Sequence, residues 1–370
     1  MKKIAIVATE PSGDLIGSQI LKRLKNKGLI SQCIGLGGPH MIREGLHSIY
    51  DYNDFSVMGY AEIFFKLPTL FLRRNKIYKI LKDFNPDVFI GVDAPDFNFF
   101  LEKKFKKNGV KTIHCVCPSI WAWKPERIKN FHNYFDCLLS ILPFEKNILD
   151  SHKIKNFYMK NPFYERIFNL RKEQYKKDNK SLITFLPGSR LSELKKAIPL
   201  FIDVVKKLNH EKFTFNFVFA NKYLHSNFYN KLTNDSFLSL YNINYIIGKS
   251  NEYMRNSDIS IMSSGTVALE AALINCNSII VYKLNYLTYL YIKNKIISDY
   301  VTLPNIMLGK EVFPELLQEK MNSDNVLKFI HKILNDVSYR NYQKSQCELI
   351  QNQFLNAIDT FNDCVDFIDL

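Results

Sequence analysis

Ile4-Ala5-Ile6-Val7-Ala8-Thr9-Glu10-Pro11-Ser12-Gly13-Asp14-Leu15 and Leu182-Ile183-Thr184-Phe185-Leu186-Pro187-Gly188-Ser189-Arg190-Leu191 open in the same way. Each is an apolar or β-branched run, a short turn containing Gly and Ser, and the start of a helical pattern. A strand that turns straight into a helix is the opening of a βαβ unit. After the first stretch, strands are expected at Gln32–Gly37, Asp87–Val92, Thr112–Val116 and Cys137–Leu142, with helical patterns at Leu15–Lys27, Pro68–Phe84 and Glu126–Tyr134. After the second, the alternation restarts: strands at Phe213–Phe219, Asn244–Ile247, Ile259–Met262 and Ser278–Tyr282, helices at Leu191–Leu208 and Thr266–Ile274. The polar stretch RIFNLRKEQYKKDNKS (166–181) separates the two. The pattern predicts an α/β protein of two facing, doubly wound Rossmann-like domains, with ligands in the cleft at the carboxyl ends of their strands. The expected boundaries are 1–170 and 171–338. A C-terminal helical segment, 339–370, is expected to pack back across the interface.

The bulk composition agrees with two folded domains. The 370 residues exceed what one core usually organises, and 46% of them are hydrophobic. The net charge of +14 suits nucleic acid or an anionic membrane surface, but Lys, Asn, Ile, Phe and Tyr are all abundant, as compositional drift also produces. No run of five or six like charges and no nucleic-acid motif is present, so nucleic acid is not expected as a partner. The seven cysteines (33, 115, 117, 137, 276, 347, 364) form no C-x-x-C pair, and no H-E-x-x-H occurs, so neither disulfides nor a metal site is expected. The apolar run Ile4–Ala8 ends at Glu10 and Asp14, which argues for a buried strand over a signal peptide. No uncharged apolar stretch approaches the roughly 20 residues of a membrane span. A cytoplasmic protein, soluble or resting on a membrane, is the expectation.

The turns carry the candidate chemistry. Glu10-Pro11-Ser12-Gly13-Asp14 lets a ligand approach backbone at a helix N-terminus, although Ser12 or Asp14 would serve equally as a plain N-cap. Ser263-Ser264-Gly265-Thr266 offers N–H donors, hydroxyls and the positive end of a helix to a diphosphate, and Glu270 follows one turn on, within reach of ribose hydroxyls. Pro187–Arg190 adds a guanidinium. Ordinary capping remains the competing account of both loops. Neither a G-x-G-x-x-G nor a P-loop pattern occurs. Gly91-Val92-Asp93-Ala94-Pro95-Asp96-Phe97-Asn98 ends an apolar strand, and Asp93 is the candidate general base for an alcohol nucleophile. Asp96 and Asn98 are expected on the acceptor side with Glu10 and Ser12, unless Asp96 simply caps the next helix. Pro118–Trp123 holds both tryptophans, which either line a sugar or acyl site or fill a core. Met58, Phe64, Phe65 and Phe71, with Arg73 and Arg74 beside them, read as an apolar surface with a basic rim for a membrane interface, or as a buried helix with a solvated edge.

Singly these signals are weak; their order is specific. EPSGD (10–14), GLGGPHM (35–41), SVMGYAEI (56–63), PDVFIGVDAPDFN (86–98), PSIWAWK (118–124), ILPFEK (141–146), FLPGSR (185–190), SSGTVALEAAL (263–273) and DYVTLPNI (299–306) together resemble the lipid-A-disaccharide synthases along the whole chain. That resemblance implies a GT-B glycosyltransferase that uses no cofactor and no metal. It implies a UDP-2,3-diacylglucosamine donor, a 2,3-diacylglucosamine 1-phosphate acceptor, and work at the anionic inner face of the cytoplasmic membrane. Carried over by motif, Asp93 is the base, Arg190 and Ser263–Thr266 hold the diphosphate, and Glu270 with Asn305 meets the uridine–ribose end.

The chain departs from the family's pattern at Lys160-Asn161-Pro162, where Gly-His-Pro is usual, at Thr9, where Gly is common, and at Asn275-Cys276-Asn277-Ser278. Asp93, Arg190, Glu270 and Asn305 are all present, so an active enzyme is expected. Two other readings stay open on the residues alone. One is a different two-domain enzyme using a UDP-sugar, such as a UDP-N-acetylglucosamine 2-epimerase or a peptidoglycan glycosyltransferase. The other is a non-catalytic nucleotide-binding adaptor at the membrane.

Overall fold

Ile4–Ala8 are wholly buried, and a strand apolar on both faces needs helices on both sides to cover it. The computed structural model describes residues 1–50, 60–168, 180–233, 238–293 and 297–369. The chain divides into two units, Met1–Asn161 with Ala357–Leu370, and Pro162–Asn356. Most of the polar stretch 166–181 lies outside the described residues.

The first unit is built on β1 (Lys2–Ala8), β2 (Ile30–Leu36), β3 (His47–Ser48), β4 (Val88–Val92), β5 (Lys111–Cys115), β6 (Cys137–Ser140) and β7 (Asn156–Tyr158). They pair in the order β3-β2-β1-β4-β5-β6-β7, each neighbouring pair parallel. Helices Pro11–Asn26, Tyr60–Phe84 and Pro95–Lys107 lie among the crossovers. Phe89 of β4 stacks on Phe105 at 4.8 Å, and burying each such ring contributes about 1.5–3 kcal/mol. A last helix, Phe361–Asp369, returns to this unit. It buries Phe361, Cys364, Val365 and Ile368, and Lys111 Nζ donates to its Phe367 carbonyl at 2.6 Å.

The second unit contains β8 (Ser181–Leu186), β9 (Phe213–Phe219), β10 (Asn242–Ile247), β11 (Ile259–Ser263), β12 (Ser278–Tyr282) and β13 (Glu315–Leu317). The order is β10-β9-β8-β11-β12-β13, again parallel throughout. Helix Leu191–Lys207 covers one face, packing Phe201 against Phe185 at 4.7 Å. The long helix Val337–Asn356 belongs to this unit.

In both sheets the strand order therefore reverses once, between β1 and β4 and between β8 and β11. At such a switch point adjacent loops leave in opposite directions and open a crevice at the strands' carboxyl ends. The loops there are Thr9–Gly13 and the turn at Asp93 in one unit, Pro187–Arg190 and Ser263–Gly265 in the other.

Candidate active site

In the second unit the two switch-point loops are tied together: Ser263 Oγ donates to the Pro187 carbonyl at 2.9 Å. Beside them lies a cavity of about 490 Å³, lined by Gly188–Arg190, by Ser263–Val267 and by Glu270. That volume falls within the range of about 300–1,000 Å³ usual for small-molecule sites. Helix Thr266–Leu273 begins at the cavity, its N-cap Gly265 contributing no side-chain cap. The N–H groups of a first turn have no intrahelical acceptor, so this end is open to an anion. On the other loop Gly188 has φ of +115°, and a Cβ there would run into the Glu193 carboxylate, so only glycine fits. Glu193 accepts the N–H groups of Ser189 and Arg190 at 2.9 and 3.2 Å and pairs with Arg190 Nη1 at 3.0 Å. The guanidinium is thereby held at the cavity edge, still largely exposed. Glu270 is almost wholly buried, and burial pushes its carboxyl up to about 6, against the pull of the Asn251 amide.

In the first unit the strand ends are strained. Asp93 and Ala94 after β4 have φ of 55° and 44°, and Val116 after β5 has φ of 75°. Left-handed backbone costs a non-glycine residue about 1–3 kcal/mol, and most for a β-branched one. The surroundings enforce it. Asp93 N–H donates to the Cys115 carbonyl at 2.8 Å and Val116 N–H to that of Leu139 at 3.0 Å. The Asn98 amide donates to the carbonyls of Val7, Val92 and Asp93 at 3.3, 3.2 and 2.8 Å. Asp93 is half-buried; its Oδ1 accepts the Ala94 N–H at 2.8 Å, and no donor among the described residues reaches Oδ2. One oxygen is fixed and one is open, as a general base requires. Glu10 and Ser12, across the switch point, are exposed.

A model of the lipid-A-disaccharide synthetase family matches residues 4–364. The chain belongs to that family. Among curated relatives, Lipid-A-disaccharide synthase 2 of Legionella pneumophila is 33% identical over 362 residues, 95% of this chain and 94% of that one. Among solved structures, a UDP-GlcNAc 2-epimerase from Neisseria meningitidis bound to UDP-GlcNAc aligns with a TM-score of 0.59 at 13% identity, covering 96% of this chain and 98% of the other. The glycotransferase of kitacinnamycin aligns at 0.60 and 10% identity, over 99% of each. Such low identities establish the fold alone, the GT-B kind with two parallel α/β sheets. Family membership makes the chain a glycosyltransferase of lipid A biosynthesis.

Several residues expected to touch ligands in this synthetase have partners within the protein. Asn305, expected at the uridine–ribose end, is wholly buried. Its amide donates to the Phe313 carbonyl and Glu315, both at 2.9 Å, while its oxygen accepts the N–H groups of Val312 and Phe313 at 2.8 and 3.0 Å. Its side-chain amide is thus fully engaged by protein groups. Asn98, also wholly buried, shapes the Asp93 turn through its amide N–H groups, while its Oδ1 has no hydrogen-bond partner among the described residues. Arg74 stacks its guanidinium over Phe100 at 3.9 Å and donates to the Asp96 carbonyl at 3.1 Å, so it is not a free basic rim. Asp96 is exposed and holds Arg127 at 3.0 Å. Arg73 is half-buried and the adjacent Leu72 exposed. Met58 lies outside the described residues, as do the side chains of Phe64, Phe65 and Phe71. Asp14 is not its own helix's cap. Buried, it accepts the N–H groups of Gly38, His40 and Met41 at 2.9–3.0 Å, which ties EPSGD to GLGGPHM.

The structure adds residues the sequence left unmarked. Glu193 sits three residues beyond Arg190, a capping-box spacing that would have flagged it. Gly248 and Ser250 join the cavity from the strand–turn–helix after β10. Val116 and the buried Glu145 had no sequence signal beyond the motifs that contain them.

Proposed function

We propose that the chain transfers 2,3-diacylglucosamine from its UDP derivative to the 6-hydroxyl of 2,3-diacylglucosamine 1-phosphate, giving the β(1→6) disaccharide 1-phosphate and UDP. Family membership over residues 4–364 is the observation that carries this reading. The second unit's cavity supports it as the nucleotide site. The diphosphate would lie against Ser263, Ser264, Gly265 and Thr266 at the helix N-terminus, with Arg190 opposite, and Glu270 would accept ribose hydroxyls. As the acceptor oxygen attacks the anomeric carbon, the bond to UDP breaks, the electron pair leaves with UDP, and Asp93 takes the hydroxyl proton. A single displacement inverts the anomeric centre. Helix dipole and guanidinium would supply the positive field for the leaving group without a metal ion.

The acyl chains place both substrates in a membrane, so the enzyme would work as a peripheral protein at its anionic cytoplasmic face. In support, no helix among the described residues is long and apolar enough to cross a membrane, the net charge is +14, and Leu72, Tyr286, Leu290 and Ile297 are exposed. The test is UDP release from UDP-diacylglucosamine with and without acceptor, in EDTA. Release that needs the acceptor and ignores EDTA is expected. Turnover of UDP-N-acetylglucosamine without a lipid acceptor would favour an epimerase, and inhibition by EDTA would remove the metal-free step.

A further inference from the structure

Glu145, the first residue of helix Glu145–Ser151, is 1% exposed, and no role in the reaction accounts for it. Its carboxyl Oε1 accepts the Trp121 indole N–H at 3.3 Å, and Oε2 makes no hydrogen bond of ordinary geometry. The Trp121 ring meets Phe144 edge-on, centroids 5.6 Å apart. Trp121 belongs to a loop bounded by two left-handed, non-glycine residues, Val116 and Lys124, with φ of 75° and 49°. Inside the loop Cys117 and Ile120 are buried as plugs, and the N–H groups of Ala122 and Trp123 both turn back to the Ser119 carbonyl. The loop leaves β5 one residue after Cys115, whose carbonyl binds the Asp93 N–H. Burial pushes the Cys115 thiol up, and Cys364, Asp93 and Glu145 add to it.

We propose that Glu145 is a positioning residue of the acceptor side: its buried carboxyl group anchors the Trp121 indole and thereby fixes the Val116–Lys124 loop against the turn that carries Asp93. The proposal rests on the reading of Asp93 as the base. Strained backbone persists only where its surroundings over-determine it, and the Glu145–Trp121 bond ties the middle of this loop to the helix Glu145–Ser151. Burial pushes the carboxyl up to about 8, opposed by the N–H groups of Trp121, Leu142 and Ile141. Burial thus favours the neutral form at pH 7. The thiols of Cys115 and Cys117 interact with it electrostatically, and burial pushes both of them up. Above pH 8 the group becomes an anion without a counter-charge among these neighbours. Water must then enter, and the loop loosens.

The test has a structural and a kinetic arm. Trp121 and Trp123 are the chain's two tryptophans, so Trp123→Phe leaves Trp121 as sole reporter. In that background Trp121 emission should titrate with a midpoint near 8, and adding Glu145→Gln should abolish the titration while keeping the neutral-pH spectrum. Glu145→Ala should shift the spectrum at every pH. In steady-state kinetics on the otherwise native chain, Glu145→Ala or Trp121→Phe should raise KM for the acceptor about three- to tenfold, the loss of one hydrogen bond. KM for the donor should not move, and combining the two should add little. Glu145→Gln, which keeps the acceptor oxygen, should restore KM and hold it flat from pH 7 to 9, where wild type rises. Trp121→Phe and Glu145→Gln keep the test open if the alanine variant fails to fold. Pure loss of stability with KM unchanged in all variants, or emission blind to Glu145, overturns the proposal. A fully active Asp93→Ala would instead overturn the reading beneath it and leave the emission result standing.

Discussion

UDP affinity should fall at acid pH, and Glu270 should be the reason. Burial pushes its carboxyl up to about 6. If the carboxylate accepts ribose hydroxyls, binding selects the ionised form, and the apparent Kd grows by a factor 1 + 10^(6 − pH) as protons compete. The factor is about 1 at pH 7.5, about 2 at pH 6 and about 11 at pH 5. The sign follows from linkage: the free protein holds a proton below pH 6 that the complex releases, so protons oppose binding. The terminal phosphate of UDP itself titrates near 6, so the comparison must be with Glu270→Gln, which keeps the ligand's contribution and loses the protein's. At pH 7.5 that variant should bind UDP about 10- to 100-fold more weakly, the loss of a charged acceptor at about 1.5–3 kcal/mol. Isothermal titration from pH 5 to 8, in two buffers of different ionisation enthalpy, reads both the affinity and the proton release. Superimposable profiles for the two proteins, or equal affinity at pH 7.5, would refute the assignment of Glu270 to the nucleotide.

Other consequences are as direct. Asn305→Ala strands the N–H groups of Val312 and Phe313 and removes the donor to the Phe313 carbonyl, so it should lower stability by about 2–4 kcal/mol in a thermal melt. The folded fraction should bind UDP normally; selective loss of UDP affinity would return Asn305 to the site. Arg74→Glu should lower Tm, because it removes the stack on Phe100, and should also weaken binding to anionic vesicles, since it reverses a charge beside Leu72. Leu72→Asp should weaken sedimentation with such vesicles while leaving Tm in place, and equal binding by Leu72→Asp and wild type would argue against that helix as the contact. Gly188→Ala should weaken UDP binding by displacing Glu193 and, with it, Arg190. Unchanged affinity would show that the loop tolerates a Cβ.

The parts of this fold legible in the sequence were those with local signals. A buried strand, a Gly/Ser turn and a helix start can be read from ten residues, so the loops at both switch points stand out before any sheet order is known. The edge strands His47–Ser48, Asn156–Tyr158 and Glu315–Leu317 are too short for a period to show, and only their neighbours define them. The helix Phe361–Asp369 follows no strand, and its four buried residues make sense only against the first unit. Polar residues near strand ends divide by partners that spacing does not reveal. Asn98 and Asn305 look like ligand contacts, yet backbone carbonyls take the Asn98 N–H groups, and backbone groups together with Glu315 engage the Asn305 amide. Glu145 and Val116 looked ordinary until Trp121 and the left-handed backbone were seen beside them. What the sequence encodes well is where the crevices open; what it hides is which polar atoms are already satisfied.

The central claim is chemical, and one measurement bears on it most directly: mass analysis of the products from purified protein, UDP-diacylglucosamine and diacylglucosamine 1-phosphate, run beside Asp93→Ala. Wild type should yield a tetraacyl disaccharide 1-phosphate and UDP, and Asp93→Ala should form it about 10²–10⁴ times more slowly while binding UDP as before. No disaccharide from folded, UDP-binding wild type, or an Asp93→Ala variant as fast as wild type, would contradict the account.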